Sequence, residues 1–259
     1  MTIETKNIEL KVQNHSAHIY FRREKRLNAI NTDLADELYI TLKNISKNEK
    51  IKTVVIEGKG KSFCSGGDVK SMYDAQDKSS LIKELTKKIH QCIILMRSMK
   101  KPIIASINGA ATGAGFSLML GCDIIIANKD AIFSTSFIKI GLAPGCGTQL
   151  LAQLIGYHRA CEFFLTGKKF TAIQAEKMGI INKAVEESNR QQEIDKYIQT
   201  FSKLPMNAIA QTKELINKSF YNTMQEQFDL ESNAASSCAK SKDFIEGITA
   251  FIEKRKTNF

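Results

Sequence analysis

No run in this 259-residue sequence approaches the ~20 consecutive apolar residues that a helix needs to cross a bilayer, so no membrane association is expected. The opening residues, Met1-Thr2-Ile3-Glu4-Thr5-Lys6, lack the basic-then-apolar pattern of a secretory signal, and a cytoplasmic protein is expected. The cysteines (Cys64, Cys92, Cys122, Cys146, Cys161 and Cys238) include no CxxC pair, and no histidine-rich cluster accompanies them. That argues against zinc or any other metal and leaves reduced, mostly buried thiols. No arginine-rich, low-complexity arm is present, so nucleic acid is not an expected partner. Gly60-Lys61-Ser62 has the look of the end of a phosphate-binding loop. The glycine required five positions earlier is Val55, which removes the nucleotide-triphosphatase reading.

Hydrophobic residues make up 43% of the chain, an ordinary share for a protein that buries a real core. The length suits one large domain, or one domain with a helical extension. The net charge of +10 suits an anionic partner: nucleic acid, an anionic membrane surface or a phosphate-bearing cofactor. Basic residues gather at 22–26, 59–70, 97–101 and 254–256. Residues 8–21 alternate with period two and predict two strands around a turn near Asn14-His15-Ser16. Asn31-Thr32-Asp33 offers caps for a helix through about Ile45. Strands are expected at 52–58, 102–108, 123–127 and 131–134, with helices at 81–99 and 115–121. From Thr148 onward the pattern predicts helix almost throughout. Strand–helix alternation in the first 145 residues predicts an α/β core with parallel pairing.

Two short glycine-bearing stretches carry the chemistry. One is Phe63-Cys64-Ser65-Gly66-Gly67-Asp68-Val69-Lys70, the other Asn108-Gly109-Ala110-Ala111-Thr112-Gly113-Ala114-Gly115. Each follows a strand-like apolar run and precedes a helix-like one. Small residues at such junctions leave backbone N–H groups bare and let a ligand approach closely. Two such groups aimed at one point form an oxyanion hole, which stabilises charge developing on a carbonyl oxygen and points to acyl chemistry.

Several segments, in order, resemble the crotonase superfamily, the enoyl-CoA hydratase/isomerase family. Arg26-Leu27-Asn28-Ala29-Ile30, the turn at 58–70 and Lys101-Pro102-Ile103-Ile104-Ala105-Ser106-Ile107-Asn108-Gly109 are similar to the family's motifs. So are Cys122-Asp123-Ile124-Ile125-Ile126-Ala127, Leu165-Thr166-Gly167 and the stretch 244–255. The resemblance implies a spiral of ββα units, with a core over 1–200 and a helical oligomerisation region over 201–259. It implies a homotrimer or a dimer of trimers, and an acyl-CoA thioester with coenzyme A as part of the substrate rather than a separate cofactor. It places the oxyanion donors on Gly67 and, counting from Asn108, on Ala114, with Gly115 next in line. Its CoA-binding positions fall on Arg26, Gly66, Asp68, Val69, Lys70 and Lys254, the last from a neighbouring subunit.

The sequence departs from the family at the acids. Family hydratases use two glutamates around a water, one to take a proton and one to give it. Those positions are Ser117 and Phe137 here, and the acid of the isomerase branch is missing after Pro144, where Gly145-Cys146-Gly147 follows. The expected reaction is therefore double-bond isomerisation, with hydration or acyl-CoA binding without turnover as alternatives. His90, Ser117 and Cys146 are the remaining candidates for proton transfer.

Overall fold

The computed structural model describes residues 2–259. Its strands are β1 (Thr2–Glu4), β2 (Ile8–Gln13), β3 (Ser16–Phe21), β4 (Thr53–Gly58), β5 (Ser62–Cys64), β6 (Ile103–Ile107), β7 (Ala110–Thr112), β8 (Ile124–Asn128), β9 (Ile132–Ser134), β10 (Lys169–Thr171) and β11 (Lys183–Val185). Its helices are α1 (Thr32–Lys47), α2 (Val69–Asp74), α3 (Lys78–Ser98), α4 (Ala114–Met119), α5 (Thr148–Ile155), α6 (Tyr157–Thr166), α7 (Ala172–Lys177), α8 (Glu187–Ser202), α9 (Met206–Ser219), α10 (Met224–Ala239) and α11 (Lys242–Ile252). One sheet runs β1-β2-β3-β4-β6-β8-β11, parallel from β3 onward. The other runs β10-β9-β7-β5, with β9, β7 and β5 parallel.

The central strands carry continuous apolar runs, over 54–56, 103–105 and 124–127, because both faces of the large sheet are covered. Val54, Ile56, Ile103 and Ala105 enter the main core with Leu34, Leu38 and Leu42 of α1. Their neighbours Val55, Ile104 and Ile126 point the other way and meet Ile194 of α8. On that second face Arg190 reaches Glu57 at 3.1 Å and also bonds Ser106, so the charge on the buried guanidinium is matched. The small sheet packs through aromatic rings: Phe163 and Phe170 lie 4.5 Å apart, Phe116 and Phe170 5.7 Å.

The parallel α/β core expected from the alternation is present, with differences of detail, among them the short strands β1, β5 and β7, which were not expected. The helix expected from residue 81 starts at Lys78, because Asp77 caps it by accepting from Ser80 N at 2.9 Å. The helix expected from residue 115 starts at Ala114 and ends at Met119, with every residue buried. The segment after Thr148 is not wholly helical. Its short strands β10 and β11 extend sheet edges laid down earlier, β10 beside β9 and β11 beside β8. Three residues are too few for a period to show, and pairing alone defines them.

A largely buried cation and a neighbouring amide, Asn217 donating to Arg97 O at 2.8 Å, anchor α9 to the core. Lys213 of α9 donates to Asp123 at 2.6 Å and to the carbonyls of Met96 and Lys101 at 2.8 and 3.1 Å. Asp123 also accepts from Ile103 N at 2.8 Å. Burial raises the Asp123 carboxyl pKa and lowers that of Lys213, each opposed by the other's charge. Beyond this anchor, α10 and α11 expose Phe228, Phe244, Phe251 and Ile252. Among the described residues no helix is long and apolar enough to cross a membrane.

Candidate active site

β5 and β7 are adjacent and parallel, so the two glycine-bearing loops leave the small sheet side by side. In the first loop Gly66 has φ +101°, a conformation that L side chains rarely adopt. Ile30 N donates to Gly66 O at 2.7 Å, and Asp68 N donates to Ile30 O at 2.9 Å. These two bonds flank Gly67 and use the side of the chain facing Ile30, which turns the Gly67 N–H to the opposite side. In the second loop Gly113 has φ +53° and its N–H donates to Ser134 O at 2.8 Å. Ala114 then begins α4, so its N–H has no carbonyl within the helix to bond. Neither the Gly67 N–H nor the Ala114 N–H bonds to another group among the described residues.

The loops are stapled to each other. Thr112 Oγ1 donates to Ser65 O at 2.8 Å. A methyl group at Gly66 would lie 2.9 Å from Thr112 O and 3.4 Å from Ala114 N, so glycine is required for the approach. Gly115, the neighbour of Ala114, has a packing reason to be glycine, since a Cβ there would strike the Cys64 carbonyl.

Gly67 and Ala114 line one cavity of about 200 Å³. Its walls are mostly apolar, with Met72, Leu85, Ile89, Phe137 and Leu142 among them, and include Gly66 and Val69. Among the described residues lining it there is no carboxylate. Phe137 packs 4.0 Å from where a side chain at Gly113 would begin.

The three proton-transfer candidates are distributed differently from a catalytic set. Ser117 Oγ is fully buried and donates to Cys146 O at 2.9 Å. His90 Nε2 lies 2.6 Å from Gly145 O, which requires it to carry the hydrogen and donate. Consecutive carbonyls of the 145–147 loop are thus held from two helices. Ser117 and His90 act as struts here, and neither lines the cavity. Cys146 does line it, but burial pushes its thiol pKa up, so it holds its proton at neutral pH.

Two of the CoA-binding candidates, Gly66 and Val69, lie at the cavity. The Asp68 carboxylate caps α2 by accepting from Ser71 N at 3.2 Å and pairs with Arg23 at 2.8 Å. Burial opposes its ionisation, but Arg23 and Ser71 outweigh that and hold the pKa below the usual aspartate value. Arg23 is the residue that the basic run 22–26 concealed: its guanidinium also bonds Ala29 O, so it fixes the entry to the loop. Arg26 and Lys70 are exposed, and Lys254 lies past the end of α11; none of the three lines the cavity of this chain.

The profile of the Enoyl-CoA hydratase/isomerase family matches residues 11–259. The mitochondrial enoyl-CoA hydratase of Pongo abelii is 35% identical over 245 residues, covering 93% of this chain and 82% of that protein. The 1,2-epoxyphenylacetyl-CoA isomerase of Escherichia coli is 31% identical over 240 residues, covering 92% of each. Among solved structures, an enoyl-CoA hydratase from Bacillus anthracis superimposes with a TM-score of 0.93 at 28% identity, covering 98% of this chain and 99% of that one.

Proposed function

This chain belongs to the enoyl-CoA hydratase/isomerase family of acyl-CoA enzymes, and from that premise we propose that it shifts the double bond of an enoyl-CoA thioester. The observation that carries this reading is the pair of unbonded N–H groups, Gly67 and Ala114, on a cavity whose lining holds no carboxylate. The thioester oxygen accepts from both donors. Loss of a proton from C2 of a 3-enoyl thioester then places negative charge on that oxygen, where the donors stabilise it. Return of a proton at C4 completes the shift, with no net gain or loss of water. Hydration by the paired-acid route needs two carboxylates at once, and Ser117 and Phe137 stand in those places. A single water in the cavity suffices as carrier, taking the proton lost from C2 and returning one at C4; the Cys146 thiol, which keeps its own proton, is not the base. On this reading Gly66, Asp68, Val69, Lys70 and Arg26 border the CoA moiety. Lys254 reaches it from a neighbouring subunit, and 201–259 forms the oligomer contact. The exposed Phe251 and Ile252 support that contact.

A second reading, binding without turnover, is favoured by the use of His90 and Ser117 as loop struts. A panel of 2- and 3-enoyl-CoA esters separates the two, with calorimetry for binding and NMR for the position of the double bond. A moved double bond supports isomerisation. Saturable binding with an unchanged ester supports the second reading. Absence of binding by every ester rejects both.

A further inference from the structure

The cavity at the oxyanion loops ends against a thin wall. Gly145 and Cys146 line it, and they also line a second cavity, of about 920 Å³, between α3, the 144–149 loop and α9. Two side chains of α3, one turn apart, close on Gly145. Thr86 belongs to the small cavity and His90 to the large one. The Thr86 hydroxyl is engaged along its own helix, donating to Ile82 O at 2.9 Å. Its methyl packs on Gly145, because a Cβ added there would lie only 2.6 Å from Thr86 Cγ2. From the other cavity His90 donates to Gly145 O at 2.6 Å. Ser117 holds the next carbonyl, Cys146 O, at 2.9 Å. The wall is thus fixed at three points, and no passage joins the two cavities.

We infer that this wall is a stop for the acyl chain, that Thr86 and His90 set its place, and that the protein takes short enoyl-CoA esters of about four to six carbons. This rests on the acyl-CoA reading above and adds chain length to it. Leu85, Ile89 and Cys146 are buried and mark the inner end of the small cavity, whereas Val69 and Ile140 are exposed and mark its mouth. Coenzyme A is far too large for about 200 Å³ and stands at the mouth, so the acyl chain points inward from Gly67 and Ala114. An apolar cavity of about 150 Å³ holds one six-carbon ring. The space here therefore takes the thioester carbonyl and a few carbons beyond it. A longer chain meets the Gly145 backbone. To go on, it must push the Thr86 methyl aside and strip Gly145 O of its donor. The second cavity is itself mostly apolar, with Ile93, Ile94, Leu150 and Phe220 in its lining, and would suit an alkyl chain. Length is refused by the wall and not by polarity behind it, which is selection by a steric obstacle.

Calorimetry with the non-reacting saturated esters butyryl-, hexanoyl-, octanoyl- and decanoyl-CoA tests this. In wild type, affinity should rise roughly threefold to fourfold per methylene from butyryl to hexanoyl, as apolar burial dictates. Decanoyl-CoA should bind at least roughly tenfold more weakly than hexanoyl-CoA, the scale of a buried carbonyl losing its donor. Thr86→Ile adds bulk at the stop and should lower the hexanoyl-to-butyryl affinity ratio at least about threefold. The double variant Thr86→Ser, His90→Ala keeps the helix-bound hydroxyl but removes the methyl and the strut. It should raise the decanoyl-to-hexanoyl ratio at least about tenfold. Melting curves identify the folded variants, and the wild-type series decides alone if neither folds. Decanoyl-CoA binding as tightly as hexanoyl-CoA in wild type, or an unchanged ratio in a folded variant, overturns the proposal while the acyl-CoA reading stands. Failure of every ester to bind overturns the acyl-CoA reading itself.

Discussion

Substituting Gly66 by alanine places a methyl group between the two loops that define the site. Two costs are readable from the geometry. The backbone at φ +101° disfavours an L side chain, which costs about 1–2 kcal/mol in left-handed conformations. The new methyl would lie 2.9 Å from Thr112 O, and relieving such overpacking costs about 1–3 kcal/mol more. A loss on the order of 2–5 kcal/mol remains within what a domain with 5–15 kcal/mol of stability can lose and stay folded. It should lower the melting temperature by roughly 5–15 °C for a chain of this size. The functional effect should be larger than the structural one. Relief of the contact moves Ala114 N, 3.4 Å from the added carbon, away from the Gly67 N–H. Loss of one such donor typically costs about 10²–10³ in rate. Differential scanning calorimetry and steady-state turnover of an enoyl-CoA ester, compared with wild type, measure both. Wild-type turnover in a Gly66→Ala protein would refute the convergence of the two donors on one oxygen.

Three further outcomes follow from the polar contacts. Lys213→Met leaves the Asp123 carboxylate buried without its cation and should cost about 3–5 kcal/mol in urea unfolding; adding Asp123→Asn should recover much of that loss. Ser117→Ala strips the Cys146 carbonyl of its donor and should cost about 1–3 kcal/mol, while the pH–rate profile keeps its shape because no titrating group is removed. Glu9, enclosed by Lys11 and Lys59, has its carboxyl held down from 4.5 to about 2, chiefly by those two hydrogen-bonded ammonium groups. A lowered carboxyl pKa stabilises the fold above the unfolded value of about 4.5 and ceases to do so as pH falls through about 2. Wild type should therefore exceed Glu9→Gln in stability at pH 7, and the gap should close between about pH 4.5 and pH 2 in a series of denaturant melts.

The glycine-bearing loops were legible in the sequence because glycine at a strand–helix junction is a backbone statement, and the backbone is what the site uses. The strands at the centre were equally plain, since Val54 through Ile56 and Ile103 through Ala105 are apolar on both faces. Other features were hidden for identifiable reasons. Arg23 sat in a run of basic residues, and nothing local distinguished the one that turns inward to Asp68, 45 residues away. Lys213 and Asp123 are 90 residues apart, and only the docking of α9 brings them together. His90 and Ser117 carried the right functional groups for proton transfer. What they do with them depends on where the 145–147 loop presents its carbonyls, which no spacing reveals. The cavity of about 920 Å³ between α3, that loop and α9 draws its lining from three separate stretches and has no signature in any one of them.

The adjacency of β5 and β7 sets a ruler for the chemistry. Neighbouring strands are about 4.8 Å apart, and two donors that must each reach one oxygen atom at about 3 Å can stand no farther than about 6 Å from each other. The interval between the two amides thus starts from sheet geometry and is held by the Thr112–Ser65 bond and the bare backbone at Gly66. A serine at 117 and a phenylalanine at 137 leave that interval as it is, because neither residue belongs to the strands or to the staple that set it.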